Sequence, residues 1–499
     1  MSAALERLLR AQRDGERVAV VGDYDADGVC SAALLLAVFR ACRLEASAVV
    51  PHRLREGYGL QPVHVERART LGCTVIVTVD CGTTAHAAVE AAVAAGIDVL
   101  VTDHHLPGDD LPAQVVVVNP RQAGCEYPFR DLAGVGIALK LGMAFAERCG
   151  KPVELEGLLR VACLGTIADL VPLVGENRTI AALGLAALGN PRSPGLRALM
   201  QRAGVRAPLR AADVSFRLAP RLNAAGRLAS ADTALDLLLS RDPLQAASLA
   251  DQLETWNRER QAAEARVVNE ARAQIERRQP LPPVLVAWGE SWHPGVVGIA
   301  AGRLAREHGR PAILLALDRG VATGSGRSVP GLHLHDFLRR WEDRLLRFGG
   351  HAQAVGLSAA EPELEPLREA WEEAAAAWPD ELFARRVEYE LHFPAEEVGP
   401  ELLALLERLE PHGQGNPQPV VRVGPLRLTR PPREFSPGHV VAQAAGLAGG
   451  LVELVGWGWA GRLPELEGSF EVLAHIERDR RNRGPALRLL ASRPSPVDG

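Results

Sequence analysis

Asp23-Tyr24-Asp25-Ala26-Asp27-Gly28 follows the apolar run Val18-Ala19-Val20-Val21 and precedes an apolar helical pattern over residues 32–39. A buried strand that ends in three alternating aspartates crowds like charges where a helix begins, and each carboxylate raises the pKa of the others. A divalent cation removes that cost, and carboxylates suit hard cations such as Mg2+ and Mn2+. The plain alternative is an acidic surface turn with one Asp as helix cap. Three alternating aspartates after a strand favour the cation site.

The arrangement recurs. Residues 75–79 run into Asp80-Cys81-Gly82-Thr83, residues 97–102 into Asp103-His104-His105, and residues 161–167 into Ala168-Asp169. Ligands of open parallel sheets bind outside the carboxyl ends of strands. Read as four strand ends converging on one crevice, these segments gather Asp25, Asp27, Asp80, His104 and Asp169, with Asp23 beside them.

A chain of 499 residues has room for about three domains. Its 47% apolar and 23% charged residues are ordinary for a globular protein. No apolar run reaches the ~18 residues of a transmembrane helix. Residues 1–17 form a charged helical pattern without a secretory core, so a cytoplasmic protein without a membrane partner is expected. Little sequence precedes the first strand, so an N-terminal lead is either missing or was never present. Seven scattered cysteines, an odd number without a CxxC pair, fit reduced thiols. The net charge of −5 argues against a protein that is basic all over, but a local basic groove suffices for a nucleic-acid strand.

Four regions follow from the patterning. Residues 1–185 alternate short apolar runs with Ala-rich helical stretches, which implies βαβ units and a parallel sheet. Residues 186–280 are helical, and residues 244–278 contain no Gly or Pro. That segment makes a helix of roughly 50 Å at 1.5 Å per residue, a spacer between two lobes. Residues 281–380 form a smaller α/β unit that closes with a helix over residues 361–378. Residues 386–495 carry short strands between Gly and Pro, the pattern of a small barrel or sandwich. Trp457 and Trp459 alternate in a strand pattern, so both face one side, to stack bases or to pack a core. Arg480, Arg481 and Arg483 sit in a hairpin between two barrel strands.

These residues resemble a known family. Asp23–Gly28, the aspartate of Val79-Asp80-Cys81-Gly82, Asp103-His104-His105 and Ala168-Asp169-Leu170-Val171-Pro172 are similar to the four motifs of DHH phosphoesterases. Five further stretches narrow the resemblance to the RecJ group of single-strand-specific exonucleases: Arg53-Leu-Arg-Glu-Gly-Tyr-Gly59, Arg221-Leu-Asn-Ala-Ala-Gly-Arg227, Ser291-Trp-His-Pro-Gly295, Gly324-Ser-Gly-Arg-Ser328 and Gly349-Gly-His351. Gly413-Gln-Gly-Asn-Pro417 resembles the entry to that group's OB-fold, although Pro411-His412 replaces an expected aromatic. The resemblance covers nearly the whole chain in order. It implies a parallel-sheet DHH domain joined by a long helix to a DHHA1-type α/β domain, followed by an all-β OB-fold barrel. Because the chain ends soon after the barrel, the further C-terminal module of some relatives is expected to be absent.

The implied function is metal-dependent 5′-to-3′ hydrolysis of single-stranded DNA to 5′-mononucleotides, in recombination and repair. Two divalent cations, Mn2+ or Mg2+, are expected on Asp25, Asp27, Asp80, His104 and Asp169, with Asp23 a direct ligand or behind one. His105 is expected to face the scissile phosphate as donor or general acid. Asp103 is expected either to orient a histidine ring or to cap a turn. Gly324–Ser328, read as a loop after a strand, offers successive N–H groups as an anion nest, with Ser325, Gly326 and Arg327 in it and His351 nearby. Arg53 and Arg227 are candidates for further phosphates, and His293 for loop positioning. A single-strand-binding protein and a helicase are the expected partners of a monomer. The rival readings are a DHH phosphodiesterase of short oligonucleotides or cyclic dinucleotides, and a non-catalytic single-strand binder.

Overall fold

Val-, Ile- and Ala-rich runs buried on both faces make the first sheet. β1 (Arg17–Gly22), β2 (Glu45–Val49), β3 (Val75–Val79), β4 (Asp98–Thr102) and β5 (Val116–Val118) lie in the order β2-β1-β3-β4-β5, every pair parallel. β3 is buried throughout, and β1 and β4 are buried after their first residue, as strands covered by helices on both faces must be. β1 has β2 on one side and β3 on the other, so the strand order reverses there and a crevice opens at their carboxyl ends. This computed structural model describes residues 1–495 except 54, 109, 385 and 480–483. Arg480, Arg481 and Arg483, expected in a hairpin, therefore lie outside the described residues. The chain forms two compact units, residues 1–171 with 175–385, and residues 172–174 with 386–499.

The segment expected as a fourth strand is helical. Residues 161–167 belong to the helix Leu155–Ala168, and Asp169 caps its C-terminus. That helix packs against both Ala26–Ala41 and Gly175–Leu188, so it is apolar around most of its circumference. A helix buried on all sides shows no amphipathic stripe and imitates a strand in sequence.

The 34-residue helix Pro243–Glu276 starts at Asp242, whose carboxylate accepts from the N–H groups of Leu244 and Gln245. It is more than a spacer. Its first half packs on the helices Pro194–Ala203 and Ala219–Leu228. In its second half Val267, Val268, Ala271 and Ile275 are buried against the next sheet and the helix Pro294–His308.

That next sheet holds β6 (Leu285–Gly289), β7 (Ala312–Asp318), β8 (Val321–Arg327), β9 (Arg347–His351) and β10 (Ala354–Ala360) in the order β6-β7-β8-β10-β9. Only β6 and β7 are parallel. Residues 324–327, expected in a loop, are the last four of β8 and are paired with β7 and β10. Their backbone amides belong to the ladder, so no anion nest forms there. Gly326 is buried, and a Cβ on it would meet Val355 and Leu334 side chains at 2.7 and 2.9 Å. It turns toward the core, away from any substrate. The closing helix is shorter than expected, Leu364–Ala375 after a single 3-10 turn.

The second unit contains β11 (Leu391–Phe393), β12 (Val421–Leu428), β13 (Arg433–Ser436), β14 (His439–Gly446), β15 (Leu451–Gly456), β16 (Phe470–Arg478) and β17 (Pro485–Pro494). The order β12-β16-β17-β15-β14 closes by a β12–β14 pairing into a five-stranded barrel. Closure leaves no free edge among those five strands. Trp457 and Trp459 lie beyond the end of β15 and do not share a face. Trp459 is 2% exposed within the barrel core, whereas Trp457 is 51% exposed and packs edge-on against Phe435 and His439. A turn after Gly456 breaks the alternation, so the pair cannot form a stacking platform.

Gly184 sets how closely Gly175–Leu188 approaches Leu155–Ala168: a Cβ there would fall on Cys163 Cβ and 2.5 Å from the Leu159 carbonyl oxygen. Gly184→Ala is expected to destabilise the protein by about 1–3 kcal/mol through overpacking. A lowered urea midpoint would show this, and an unchanged midpoint would contradict the packing described.

Candidate metal centre and arginine cluster

The first aspartates are held by backbone amides. Asp25 caps the helix Ala26–Ala41, its Oδ1 accepting from the N–H groups of Asp27 at 2.9 Å and Gly28 at 3.1 Å. Gly28 is required because a Cβ would strike the Asp23 backbone at 2.5–2.7 Å. Asp27 is buried, and its two oxygens accept from Gly134 N at 2.8 Å and Val135 N at 2.9 Å. The N-terminus of the helix Gly134–Arg148 thus bears on a carboxylate, as its dipole favours. A Cβ on Gly134 would lie 2.6 Å from Asp80 Oδ1, so only glycine lets the two aspartates flank this helix end.

Asp80 ends β3 with φ 61°, a left-handed conformation unusual for a residue with a side chain. Strain of this kind clusters at functional sites. His104 Nε2 stands 3.1 Å from Asp80 Oδ1 and 3.5 Å from Asp169 Oδ2. Candidate ligand atoms fall into three sets, Asp23/Asp25/Asp80, Asp80/His104/His105 and Asp27/His104/Asp169, the atoms of each within 4.8 Å of one another. Asp80 and His104 are each shared by two sets, so the three form one continuous centre.

The donor set fits a divalent cation. Asp23 Oδ1, Asp80 Oδ1 and both ring nitrogens of His104 are buried without an aligned hydrogen-bond partner, and such groups are costly unless something else satisfies them. Burial, reinforced by the Asp25 charge, pushes Asp23 up to about 8 and Asp27 up to about 7. Burial, then the Asp27 and Asp25 charges, pushes Asp169 up to about 9 and raises Asp80 far above the carboxylate range. Burial, then the charge of His105, lowers His104 to about 3, so its ring is neutral and free to ligate.

Asp103 does both things expected of it. Its Oδ2 accepts from Thr83 N at 2.9 Å, and its Oδ1 from His104 N at 2.8 Å, His105 N at 3.1 Å and His105 Nδ1 at 2.8 Å. Burial opposes the charges of this pair, but the mutual hydrogen bond prevails, holding Asp103 below the usual range and His105 above it. Two further residues were not singled out from sequence. Tyr58 places its hydroxyl 3.0 Å from His105 Nδ1 and 3.3 Å from the Asp80 carbonyl. Buried Asn119 donates to Thr83 Oγ1 at 3.1 Å and to the His105 carbonyl at 2.8 Å while accepting from Arg121 N at 2.8 Å. It ties the turns after β3 and β4 to the chain beyond β5. Nothing in its local sequence announces this.

The helix Ala219–Leu228 brings in the arginines. Its Asn223 Oδ1 accepts from Ala26 N at 2.7 Å, and a Cβ on Gly226 would lie 2.5 Å from the Tyr24 carbonyl. Arg227 donates to the Gly295 carbonyl at 3.2 Å, and the Arg53 guanidinium lies 4.9 Å from the Tyr24 ring centroid. Gly298 leaves room for Arg327 Nη2 and Ser325 Oγ, which a Cβ would meet at 3.1 and 3.2 Å. Burial, then neighbouring Arg53 and Arg260, lowers Arg227 to about 10; burial and Arg53 lower Arg327. Among the described residues none of Arg53, Arg227 and Arg327 has a carboxylate partner. Three mutually repelling guanidinium groups beside a carboxylate centre call for an anion between them. His351, exposed at the end of β9, lies two strands from Arg327. His293 caps the helix Pro294–His308 and holds Gly295 N through its Nδ1.

Sequence models of three domain families match the chain: the DHH family N-terminal domain over residues 17–166, the DHHA1 domain over 281–377 and the RecJ OB domain over 389–492. The single-stranded-DNA-specific exonuclease RecJ of Dickeya dadantii is 41% identical over 84% of this chain and 77% of its own length. The chain belongs to the RecJ family. The Bacillus subtilis RecJ is 38% identical over 85% of this chain, which spans 54% of that longer protein. A crystal structure of Thermus thermophilus RecJ in complex with Mn2+ superposes with a TM-score of 0.83 at 32% identity, covering 99% of this chain and 71% of that one. The same protein with Mg2+ gives 0.77 at 29% identity, covering 99% and 70%. The five-stranded barrel is therefore a RecJ OB domain, a fold suited to single strands. No helix among the described residues is long and apolar enough to cross a membrane, and all seven cysteines are free.

The raised carboxylates make cation binding pH-dependent. Their folded pKa values exceed the unfolded value of about 4, so the metal-free protein binds more protons folded than unfolded, and its stability falls as pH rises from about 4 through 9. Binding a cation requires the ionised forms. The rise in Tm on adding Mn2+ to chelator-treated protein should therefore be several degrees larger at about pH 8.5 than at about pH 6. An increment independent of pH would sink this assignment of the carboxylates.

Proposed function

We propose that the protein is a 5′-to-3′ exonuclease that releases 5′-mononucleotides from single-stranded DNA. The observation that carries this reading is the pairing, within one unit, of a carboxylate–imidazole centre with unsatisfied buried atoms and an arginine trio without carboxylate partners among the described residues. Asp25, Asp27, Asp80, His104 and Asp169 would hold two divalent cations, Mn2+ or Mg2+, with Asp23 a further ligand or behind one. When bound, such cations activate a water and stabilise the leaving oxygen of an in-line displacement.

The chain's own groups then have separable tasks. Arg327, Ser325, Arg53 and Arg227 grip the terminal phosphate, a recognition to which paired guanidinium N–H groups are suited. His105, whose basicity the Asp103 hydrogen bond raises, donates to the phosphoryl group undergoing attack. Water oxygen joins phosphorus, the P–O3′ bond breaks, and the departing 3′-oxygen takes up a proton. The shortened strand retains a 5′-phosphate, the same group the arginines grip. Gly349 and His351 edge this surface. The OB unit offers a single-strand surface, although Trp459 takes no part in it because it is core. Action in recombination and repair, in the cytoplasm, as a monomer working beside a single-strand-binding protein and a helicase, is supported by the family resemblance.

Oligonucleotides labelled at either end, with Mn2+, test the reading. Label should appear early as mononucleotide only from the 5′-labelled strand. Asp80→Ala should lower kcat at least ~1,000-fold while the strand stays bound. Arg327→Ala should raise KM about ten-fold or more, with the larger effect on 5′-phosphorylated ends. Early mononucleotide from the 3′ label, or an active Asp80→Ala, would refute it.

A further inference from the structure

One face of the second sheet is open beyond the phosphate-gripping residues. Thr323, Ser325 and Arg327 alternate along β8 and project to the same side. The registers Thr323↔Ser358↔Arg347 and Ser325↔Gly356↔Gly349 continue that face across β10 and β9. A cavity of about 440 Å³ lies there, with Thr323, Ser358, Gly356 and Arg347 in its lining and Leu346 at its side.

The cavity has a floor and functional edges. A Cβ added to Gly356 or Gly349 would meet nothing within 4 Å, so adjacent strands leave a bare strip of peptide planes. Thr323 Oγ1 and Ser358 Oγ stand 3.0 Å apart and share one proton, which leaves hydroxyl capacity for a ligand. Arg347 is exposed and has no carboxylate partner among the described residues. A flat apolar floor with hydroxyls and a guanidinium at its rim suits a planar heteroaromatic ring bearing donors and acceptors. Thr323 lies two residues along β8 from Ser325, about 7 Å, so a ligand seated here is within one nucleotide of Ser325.

We infer that this cavity seats the nucleobase of the terminal nucleotide, the one whose phosphate is held at Ser325 and Arg327. The inference rests on the proposed function, since it takes the phosphate anchor from it. The base lies on the glycine strip, and Thr323, Ser358 and Arg347 meet its polar edge. Every base has a flat face, so such a seat tolerates all sequences while requiring that a base be present. A terminal nucleotide held by both phosphate and base is registered against the metal centre more firmly than by phosphate alone.

Calorimetric titration of the full-length protein with thymidine 5′-monophosphate and with 2-deoxyribose 5-phosphate tests the seat. The nucleotide should bind about ten-fold more tightly, the order expected of one or two added hydrogen bonds. Gly356→Leu, whose Cβ would meet no atom within 4 Å and whose remaining carbons would occupy the cavity, should abolish that difference and leave 2-deoxyribose 5-phosphate affinity and Tm unchanged. Thr323→Val, a smaller change, should weaken only the nucleotide, about three-fold. Equal affinities in the unmodified protein, or a Gly356→Leu variant that weakens both ligands alike, would overturn the inference. If the base-dependent difference holds but Arg327→Ala leaves both affinities unchanged, the seat stands and the phosphate anchor falls instead.

Discussion

Repulsion among buried carboxylates is the constraint on which the rest of the catalytic unit depends. Asp23, Asp27 and Asp80 are buried and Asp25 and Asp169 partly so, and the structure answers by fixing three of the five from behind. Asp27 rests on two amides of a helix N-terminus, Asp25 on the first turn of its own helix, and Asp80 is aimed by a left-handed backbone. The oxygens left unsatisfied are those of Asp23 and Asp80. The protein supplies rigidity in place of neutrality, and an assembly so pre-organised gains most when a cation arrives.

The arginines pose the same problem with the opposite sign. Burial and the neighbouring Arg53 lower the basicity of Arg227 and Arg327, and none of the three finds a carboxylate partner among the described residues. They are nevertheless kept off the aspartates by being tethered to the Tyr24 ring and to the carbonyls of Gly295 and Gly326. Direct collapse of the two clusters into ion pairs would satisfy both and leave nothing for a ligand. Backbone carbonyls and amides prevent it, and a polyanionic strand with its counter-cations is the one chemistry that relieves both sides together.

Much of this was legible before any coordinates, and the exceptions share a cause. Asp25, Asp27, Asp80 and the His104-His105 pair could be read because each follows a short β-branched run, a signal contained within a dozen residues. Asp169 joins the cluster from a helix end, since an all-round buried helix and a buried strand have the same composition. Arg327 joins the arginine trio with Ser325 beside it, but from a strand. Their glycines suggested flexibility, whereas Gly324 and Gly326 are small because Leu314, Leu315 and Val355 lie against them. Trp457 and Trp459 do not share a face because one turn after Gly456 changes which side the chain presents, and Trp459 takes the core place that was one of its two expected roles. Gly134, Asn119 and Asn223 were invisible for a different reason. Each acts on a segment distant in sequence, and a single small or amide residue carries no periodic signal.

The helix Pro243–Glu276 belongs to the hydrophobic interior of both lobes, so the lobes cannot slide along it independently. It behaves as a ruler. Each residue in it advances the far lobe by about 1.5 Å and turns it by about 100°, so the gap between Arg327 and the aspartates can change only in coarse, rotated steps. A span tuned to one nucleotide could not drift gradually toward two. An exonuclease built on such a rod has its step size written into the length of one helix.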